Sequence, residues 1–148
     1  MSDENVEIVR RAFEDACRVT DPSGRTLDVL DPDALAVVFD FLHPEVEVEE
    51  DPRFPEAGLY RGREAAARYF TQFTESFNTF TFESEEFIGL DDGRVLVLFR
   101  LRMRGRGSAV PVEARPGWIY TVRDGKAARI EAHLDRNEAF AAAGLPAR

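Results

Sequence analysis

The chain has 148 residues, which suits one domain that buries a hydrophobic core without disulfides. Apolar residues make up 44% of it, including 12 phenylalanines, so an intrinsically disordered chain is excluded. The net charge of −9 argues against a nucleic-acid or anionic-membrane partner, and no apolar run approaches the ~20 residues of a membrane span. With a single cysteine and no apolar signal segment, we expect one cytoplasmic domain over residues 1–148.

Four stretches have the features of helices. Apolar residues at helical spacing predict a first helix over about residues 4–20. Asp31-Pro32 supplies an N-cap and a first-turn proline for a second helix, which His43-Pro44 would end. A strongly aromatic face predicts a third helix that ends at about Phe77, and the segment from Asp135 to Glu138 has capping-box spacing for a last one.

The remaining stretches predict strands. A short alternating strand, Val46 to Glu49, is followed by an irregular loop over 50–58 that contains two prolines and a glycine. A strand around Phe80 to Ile88 precedes a three-stranded meander over 94–134, whose second turn is Asp124-Gly125. Helices segregated against consecutive antiparallel strands predict an α+β fold, in which a curved antiparallel sheet packs against the N-terminal helices. Such a sheet, crossed by an aromatic helix, tends to enclose a pocket.

The sheet register decides which residues would line that pocket. A two-residue loop at Asp124-Gly125 places Trp118 opposite Glu131, so that Ile119 and Ile130 share the face that suits burial. Pro116 removes a ladder donor inside the middle strand, and a bulge at 115–117 would accommodate it. The predicted pocket residues are Phe13, Phe39, Tyr69, Phe73, Phe99, Leu101, Met103, Arg115, Ile119, Ile130, Ala132 and Leu134.

The opposite sheet face is predicted to be partly wet. It carries Trp118, Tyr120, Glu131 and His133, and the two rings suit a contact that is part apolar and part polar. We therefore expect this face to bind a second copy of the chain. Only two histidines are present, far apart and without carboxylates at metal-ligand spacing, so neither a metal nor another cofactor is predicted.

The chain resembles the NTF2-like superfamily, and within it the SnoaL-like group, to which ketosteroid isomerase and polyketide cyclases are also related. The resemblance is carried by three stretches: residues 5–13, the run Tyr60-Arg61-Gly62-Arg63-Glu64-Ala65, and the ending over 121–145. It implies a cone-shaped α+β fold with an internal pocket, and homodimers that form through the outer sheet face. Because this fold hosts many chemistries, the resemblance specifies the fold more closely than the activity.

The isomerase-type general base of that superfamily follows the first strand, and Glu49-Glu50-Asp51-Pro52 is similar to its context. The resemblance therefore implies Asp51 as the candidate catalytic base. The positions that match the isomerase's oxyanion donors fall near Ala12-Phe13 and Gly117, which offer no such donor, and the cyclase-type acid matches Ala132.

Three functions stay open from the sequence. The first is a dimeric binding protein whose apolar, aromatic pocket takes a small hydrophobic ligand. The second is a cofactor-independent isomerase, cyclase or lyase that acts on a carbonyl compound with Asp51 as its base. The third is an interaction partner whose pocket is filled by its own side chains. The position of Asp51 separates the first two functions, and the cavity volume separates the third from both.

Overall fold

The structure is a computed structural model that describes residues 2–54 and 57–146. Within those residues the chain forms four helices and one curved, unclosed sheet of eight strands, which confirms the predicted α+β class. The helices are α1 (Ser2–Cys17), α2 (Pro32–Phe41), α3 (Arg63–Thr74) and α4 (Arg136–Ala142). The strands are β1 (Thr26–Asp28), β2 (Leu42–Glu49), β3 (Leu59–Arg61), β4 (Phe77–Gly89), β5 (Val95–Gly105), β6 (Val112–Ala114), β7 (Gly117–Arg123) and β8 (Lys126–His133).

The helix starts follow from local capping chemistry. The Asp31 carboxylate accepts hydrogen bonds from the backbone N–H groups of Asp33 and Ala34, both at 3.0 Å, and Pro32 occupies the first turn of α2. Asp135 accepts a hydrogen bond from the Asn137 N–H at 2.7 Å and caps α4 in the same way. The helix ends were placed less well, because α1 and α3 each stop three residues before the predicted ends.

The strands pair in the order β1-β4-β5-β7-β8-β2-β3, and β6 extends beside β5. All neighbouring pairs are antiparallel except β2 and β8, which are parallel. The sequence pattern missed β1 and β3, since strands of three residues are too short to show alternation. The turn between β7 and β8 is as predicted: Asp124 and Gly125 have φ values of 57° and 74°, as a type I′ turn requires.

The predicted bulge lies in another place. Leu101 pairs with Ala114 and Leu98 pairs with Gly117, so the register of β5 runs unbroken past Pro116. The Pro116 carbonyl accepts a hydrogen bond from the Phe99 N–H at 3.1 Å, and the missing Pro116 N–H is tolerated because the Phe99 carbonyl accepts a hydrogen bond from Arg136 Nη2 at 2.7 Å. The register shifts instead between β7 and β8, where Ala128 is an extra residue.

The extra residue reverses the predicted facing of β7. Trp118 lies opposite Ala132, and Tyr120 lies opposite Ile130, so both rings point to the concave face of the sheet. Ile119 pairs with Glu131 and points to the outer face. The prediction that Ile119 shares a face with Ile130 is therefore wrong, because one additional residue exchanges the two faces of a strand.

Helix α4 covers part of the outer face. Ile119 packs there in a buried cluster with Leu96, Leu98, Ala139 and Phe140. Gly117 allows the close approach of the helix, because a Cβ atom at this position would lie 2.5 Å from the Cβ of Ala139. In the described part of the chain, no helix is both long and apolar enough to cross a membrane.

We expect Gly117→Ala to destabilise the fold by about 1–3 kcal/mol, because the added methyl group pushes α4 away from β7. Chemical denaturation measures the free energy of unfolding. Gly58→Ala is the matched control, since no atom lies within 4 Å of its added Cβ and its φ is not positive, and we expect its effect to stay within about 0.5 kcal/mol. Equal losses in the two variants would contradict the close packing of α4.

Candidate functional site

A cavity of about 80 Å³ lies between the concave sheet face and helices α1, α2 and α3. Half of the 22 residues around it are aromatic, and its polar contributors are few. The lining residues are Val9, Ala12, Phe13, Leu27, Val29, Leu35, Val38, Phe41, Glu50, Phe54, Phe70, Phe73, Thr74, Phe80, Phe82, Phe87, Val97, Phe99, Leu101, Pro116, Trp118 and Tyr120.

Four of the predicted pocket residues line this cavity: Phe13 from α1, Phe73 from α3, and Phe99 and Leu101 from β5. A further set lies in the protein around the cavity without lining it. This set comprises Phe39, Tyr69, Met103, Ile130 and Ala132, whereas the half-buried Leu134 follows β8 and donates its N–H to Asp51.

Two predicted pocket residues lie outside it altogether. Ile119 is buried under α4 on the outer face, for the reason of register given above. Arg115 is exposed and lies near Glu85, a carboxylate that is bound by Arg136 at 2.6 Å. No bulge turns the chain inward at Arg115, so the expectation that this cation orients a ligand is wrong.

The residues of the predicted dimer face are likewise divided between the two faces of the sheet. Trp118 and Tyr120 line the cavity, so they were wrongly assigned to the outer face. Glu131 and His133 do belong to the outer face, where they pair with Ile119 and Gly117.

Glu50 is the one carboxyl among the described residues that line the cavity. It directly follows β2, in which Val46 and Val48 are buried while the intervening Glu47 and Glu49 face outward. The same alternation turns Glu50 inward, where its side chain is only 7% exposed. Sequence reasoning passed over this residue, although the period-two pattern that starts at Val46 extends to it.

Burial dominates the chemistry of Glu50. Removal of the carboxyl from water raises its pKa to about 7, and hydrogen bonds from the Asp51 N–H, at 3.1 Å, and from the Tyr69 hydroxyl oppose that rise. The nearby negative charge of Asp51 raises the pKa further. Glu50 can therefore give up or accept a proton near neutral pH, which is the property of a general acid–base group.

Asp51 has the opposite character. Its carboxylate accepts hydrogen bonds from the Arg53 Nε and Nη2 atoms at 2.8 and 2.6 Å, and from the Leu134 N–H at 2.7 Å. The bonds from Arg53 hold the pKa of Asp51 well below its usual range. Asp51 does not line the cavity, and Arg53 also bridges to Glu138 at 2.6 Å. Asp51 is thus an anchor of the loop, and this arrangement does not favour its predicted role as the general base.

Tyr120 adds a second polar group to the cavity. Burial alone raises the pKa of its hydroxyl, so the group is neutral at all physiological pH values. It can donate a hydrogen bond to a bound molecule without carrying charge. Among the described residues, no group of three or more His, Cys, Asp and Glu side chains is placed to hold a metal ion.

Comparison with known proteins agrees with this architecture. The family described as "SnoaL-like domain" matches residues 9–130, and no curated protein matches the sequence. A putative SnoaL-like polyketide cyclase from Jannaschia sp. CCS1 is 18% identical with a TM-score of 0.69, and the match covers 99% of this chain and 96% of that one. An NTF2-like protein from Burkholderia xenovorans LB400 is 26% identical over 97% of each chain, with a TM-score of 0.63. A second NTF2-like protein, from Burkholderia thailandensis E264, is 24% identical over 96% and 98% of the two chains, with a TM-score of 0.68.

These matches show that the protein has an NTF2-like fold, which is the α+β architecture that the resemblance implied. The family model covers most of the chain, and the chain therefore belongs to the SnoaL-like domain family.

Glu50 makes the stability of the fold depend on pH. The pKa of Glu50 is higher in the folded chain, about 7, than its ordinary 4.5, so stability falls as the pH rises between these values. We expect Glu50→Gln to remove this loss, and its free energy of unfolding relative to the wild type should rise by roughly 2 kcal/mol from pH 5 to pH 8. Denaturant unfolding of both proteins at the two pH values measures the difference. If the wild type and Glu50→Gln showed the same pH dependence of the free energy of unfolding, the Glu50 carboxyl would have to be exposed to solvent.

Proposed function

We propose that the protein binds a small, largely apolar molecule in the central cavity, with Glu50 as the one ionisable contact. The observation that carries this proposal is the cavity itself, whose wall is aromatic and aliphatic apart from a few convergent polar groups. An apolar pocket with few, fixed polar groups is the usual form of a small-molecule site.

The cavity volume limits the size of the ligand. At about 80 Å³ the cavity is smaller than the apolar cavity of ~150 Å³ that holds benzene. The ligand therefore has only a few non-hydrogen atoms, unless the wall rearranges. The small volume is also compatible with the third function considered above, an interaction partner whose pocket is filled by its own side chains, because phenylalanine side chains occupy much of the space.

The charge of the wall limits the class of ligand. Among the described lining residues there is no lysine, arginine or histidine, while Glu50 supplies a carboxyl group. An anionic ligand would meet a like charge without any counter-charge, so fatty acids and phosphates are disfavoured.

Binding of 2-methyl-2-propanol, a neutral probe of five non-hydrogen atoms, tests this proposal. Trp118 is the only tryptophan of the sequence and lines the cavity, so we expect its indole N–H resonance to shift saturably with the probe. Ala12→Leu should weaken binding at least about tenfold because the larger side chain fills the cavity, whereas the exposed Ala141→Leu should not. Absence of a saturable shift in the wild type would support a cavity that is closed by its own side chains.

Acid–base catalysis is a second candidate function, and the raised pKa of Glu50 favours it. In this function the ionised Glu50 removes a proton from the carbon next to a carbonyl group, while the neutral Tyr120 hydroxyl donates a hydrogen bond to the enolate oxygen. Return of the proton to another carbon gives an isomer, and return to the same carbon gives exchange with solvent.

Exchange of the α-protons of butanone with D₂O, followed by proton NMR, tests the second candidate. We expect a catalysed rate that rises with pH through about 7, as Glu50 ionises, and that falls by about 10²-fold in Glu50→Gln. Glu49→Gln is the matched control, because the neighbouring carboxylate faces outward. Catalysis that survives Glu50→Gln would exclude Glu50 as the base.

We further propose that the protein forms a homodimer through the outer sheet face that carries Glu131 and His133. The resemblance to NTF2-like proteins implies such a dimer. Sedimentation velocity is the direct measurement. A single species near the monomer mass of 16.7 kDa at micromolar concentration would contradict it.

A further inference from the structure

We infer that the cavity is built for a small alkylammonium ion, held between the Glu50 carboxylate and the surrounding aromatic rings. This inference rests on the proposed ligand-binding function and names the class of ligand. It depends on three features of the same site, which are an unpaired buried carboxyl, a ring-lined wall and a small volume.

The first feature is a carboxyl that has no cationic partner among the described residues. The Glu50 side chain is more than nine-tenths buried, and within the described part of the chain its hydrogen bonds come from the Asp51 N–H and the Tyr69 hydroxyl. Its neighbour Asp51 is instead matched by Arg53 at 2.6 Å. A buried carboxylate that lacks a counter-charge is costly, and a bound cation would supply that charge.

The second feature is the aromatic wall beside Glu50. The Tyr69 ring, whose hydroxyl contacts Glu50, lies 5.6 Å from the ring of Phe70 and 5.9 Å from the ring of Phe73. Phe70 lies 6.5 Å from Trp118, and Phe73 lies 5.3 Å from Phe54. Four of these five rings line the cavity, and aromatic faces attract alkylammonium ions through their quadrupoles.

The third feature is size, which distinguishes this ligand from the larger molecules that an apolar pocket commonly takes. A cavity of about 80 Å³ suits a compact ion of a few non-hydrogen atoms. A neutral ligand of this size could accept a hydrogen bond from protonated Glu50 and pack against the rings, but it would gain no electrostatic attraction from their faces. Only a cation is attracted electrostatically by both the carboxylate and the ring faces.

The charges around Glu50 make the pH dependence of binding simple to interpret. The groups that act on it are Asp51, whose own pKa is held low by Arg53, and the Tyr69 hydroxyl, while the Tyr120 hydroxyl lines the same cavity. Asp51 stays ionised and Tyr120 stays neutral between pH 6 and pH 8. Glu50 is therefore the group whose charge should change over this range.

Titration with tetramethylammonium chloride, compared with 2-methyl-2-propanol, tests the inference. Both probes have five non-hydrogen atoms, and only the first carries charge. With sodium chloride exchanged for the probe at constant ionic strength, we expect tetramethylammonium to bind about tenfold more tightly at pH 8 than at pH 6, because the ionised fraction of Glu50 rises. Calorimetry at pH 7 in two buffers of different ionisation enthalpy should show proton release on binding, while 2-methyl-2-propanol should show neither effect.

Two variants connect the cation to Glu50. Glu50→Gln keeps the size of the side chain and removes its charge, so we expect at least about a tenfold loss of tetramethylammonium affinity and no loss of the neutral probe. Retained binding of the neutral probe shows that the cavity of this variant is intact. Glu49→Gln controls for attraction to the acidic surface, since it removes one outward carboxylate from the adjacent residue.

The outcomes separate this inference from the proposed function. Binding of 2-methyl-2-propanol alone would overturn the cation inference and leave the ligand-binding function standing. Binding of neither probe would overturn both. Tetramethylammonium binding that Glu50→Gln leaves unchanged, or that is independent of pH, would assign the ion to the acidic surface and would also overturn the inference.

Discussion

The single extra residue at Ala128 is the feature on which the inner surface of this protein depends. It lies between Val122, which pairs with Ala127, and Thr121, which pairs with Arg129. Because side chains alternate along a strand, this one insertion turns Trp118 and Tyr120 inward over the whole remaining length of β7. The same insertion frees the outer face for Gly117 and Ile119, so α4 can pack closely against it. The bulge at Ala128 thus determines both which side chains line the cavity and where α4 packs.

Two adjacent carboxyl groups at the end of β2 have pKa values that are shifted in opposite directions. Asp51 is bound by Arg53 and by the Leu134 N–H, and these bonds fix the loop that follows β2 against the end of β8. Glu50 is held inward by that fixed backbone, and no cation of the described residues offsets its burial. Of these two carboxyl groups, Glu50 is therefore the one that is buried without a counter-charge, and it lies at the wall of the cavity. This combination makes Glu50 the centre of both the ligand-binding and the proton-transfer function proposed for the protein.

Membership of the SnoaL-like family defines the scaffold and leaves the chemistry open, because the same fold supports different sites. In this chain the cavity has a largely aromatic wall and a small volume, and the ionisable groups among its described lining residues are one carboxyl and one neutral phenol hydroxyl. A binding site for a compact molecule and a site for proton transfer share these features. They differ in whether Glu50 must exchange its proton or hold its charge.

Much of the fold was determined by the sequence alone, because its causes are local. Asp31 and Asp135 cap helices through backbone N–H groups a few residues away, and Asp124-Gly125 adopts the turn that its backbone freedom allows. Phe99 and Leu101 do line the cavity as predicted, but the prediction reached them through a bulge at 115–117 that the structure does not contain. Only the tertiary structure decided that Ala128, and not the Pro116 region, carries the bulge, since either place satisfies the local pattern. The pairing of Asp51 with Arg53 and Leu134, which leaves Glu50 as the buried acid, was likewise decided by contacts between segments that are distant in the chain.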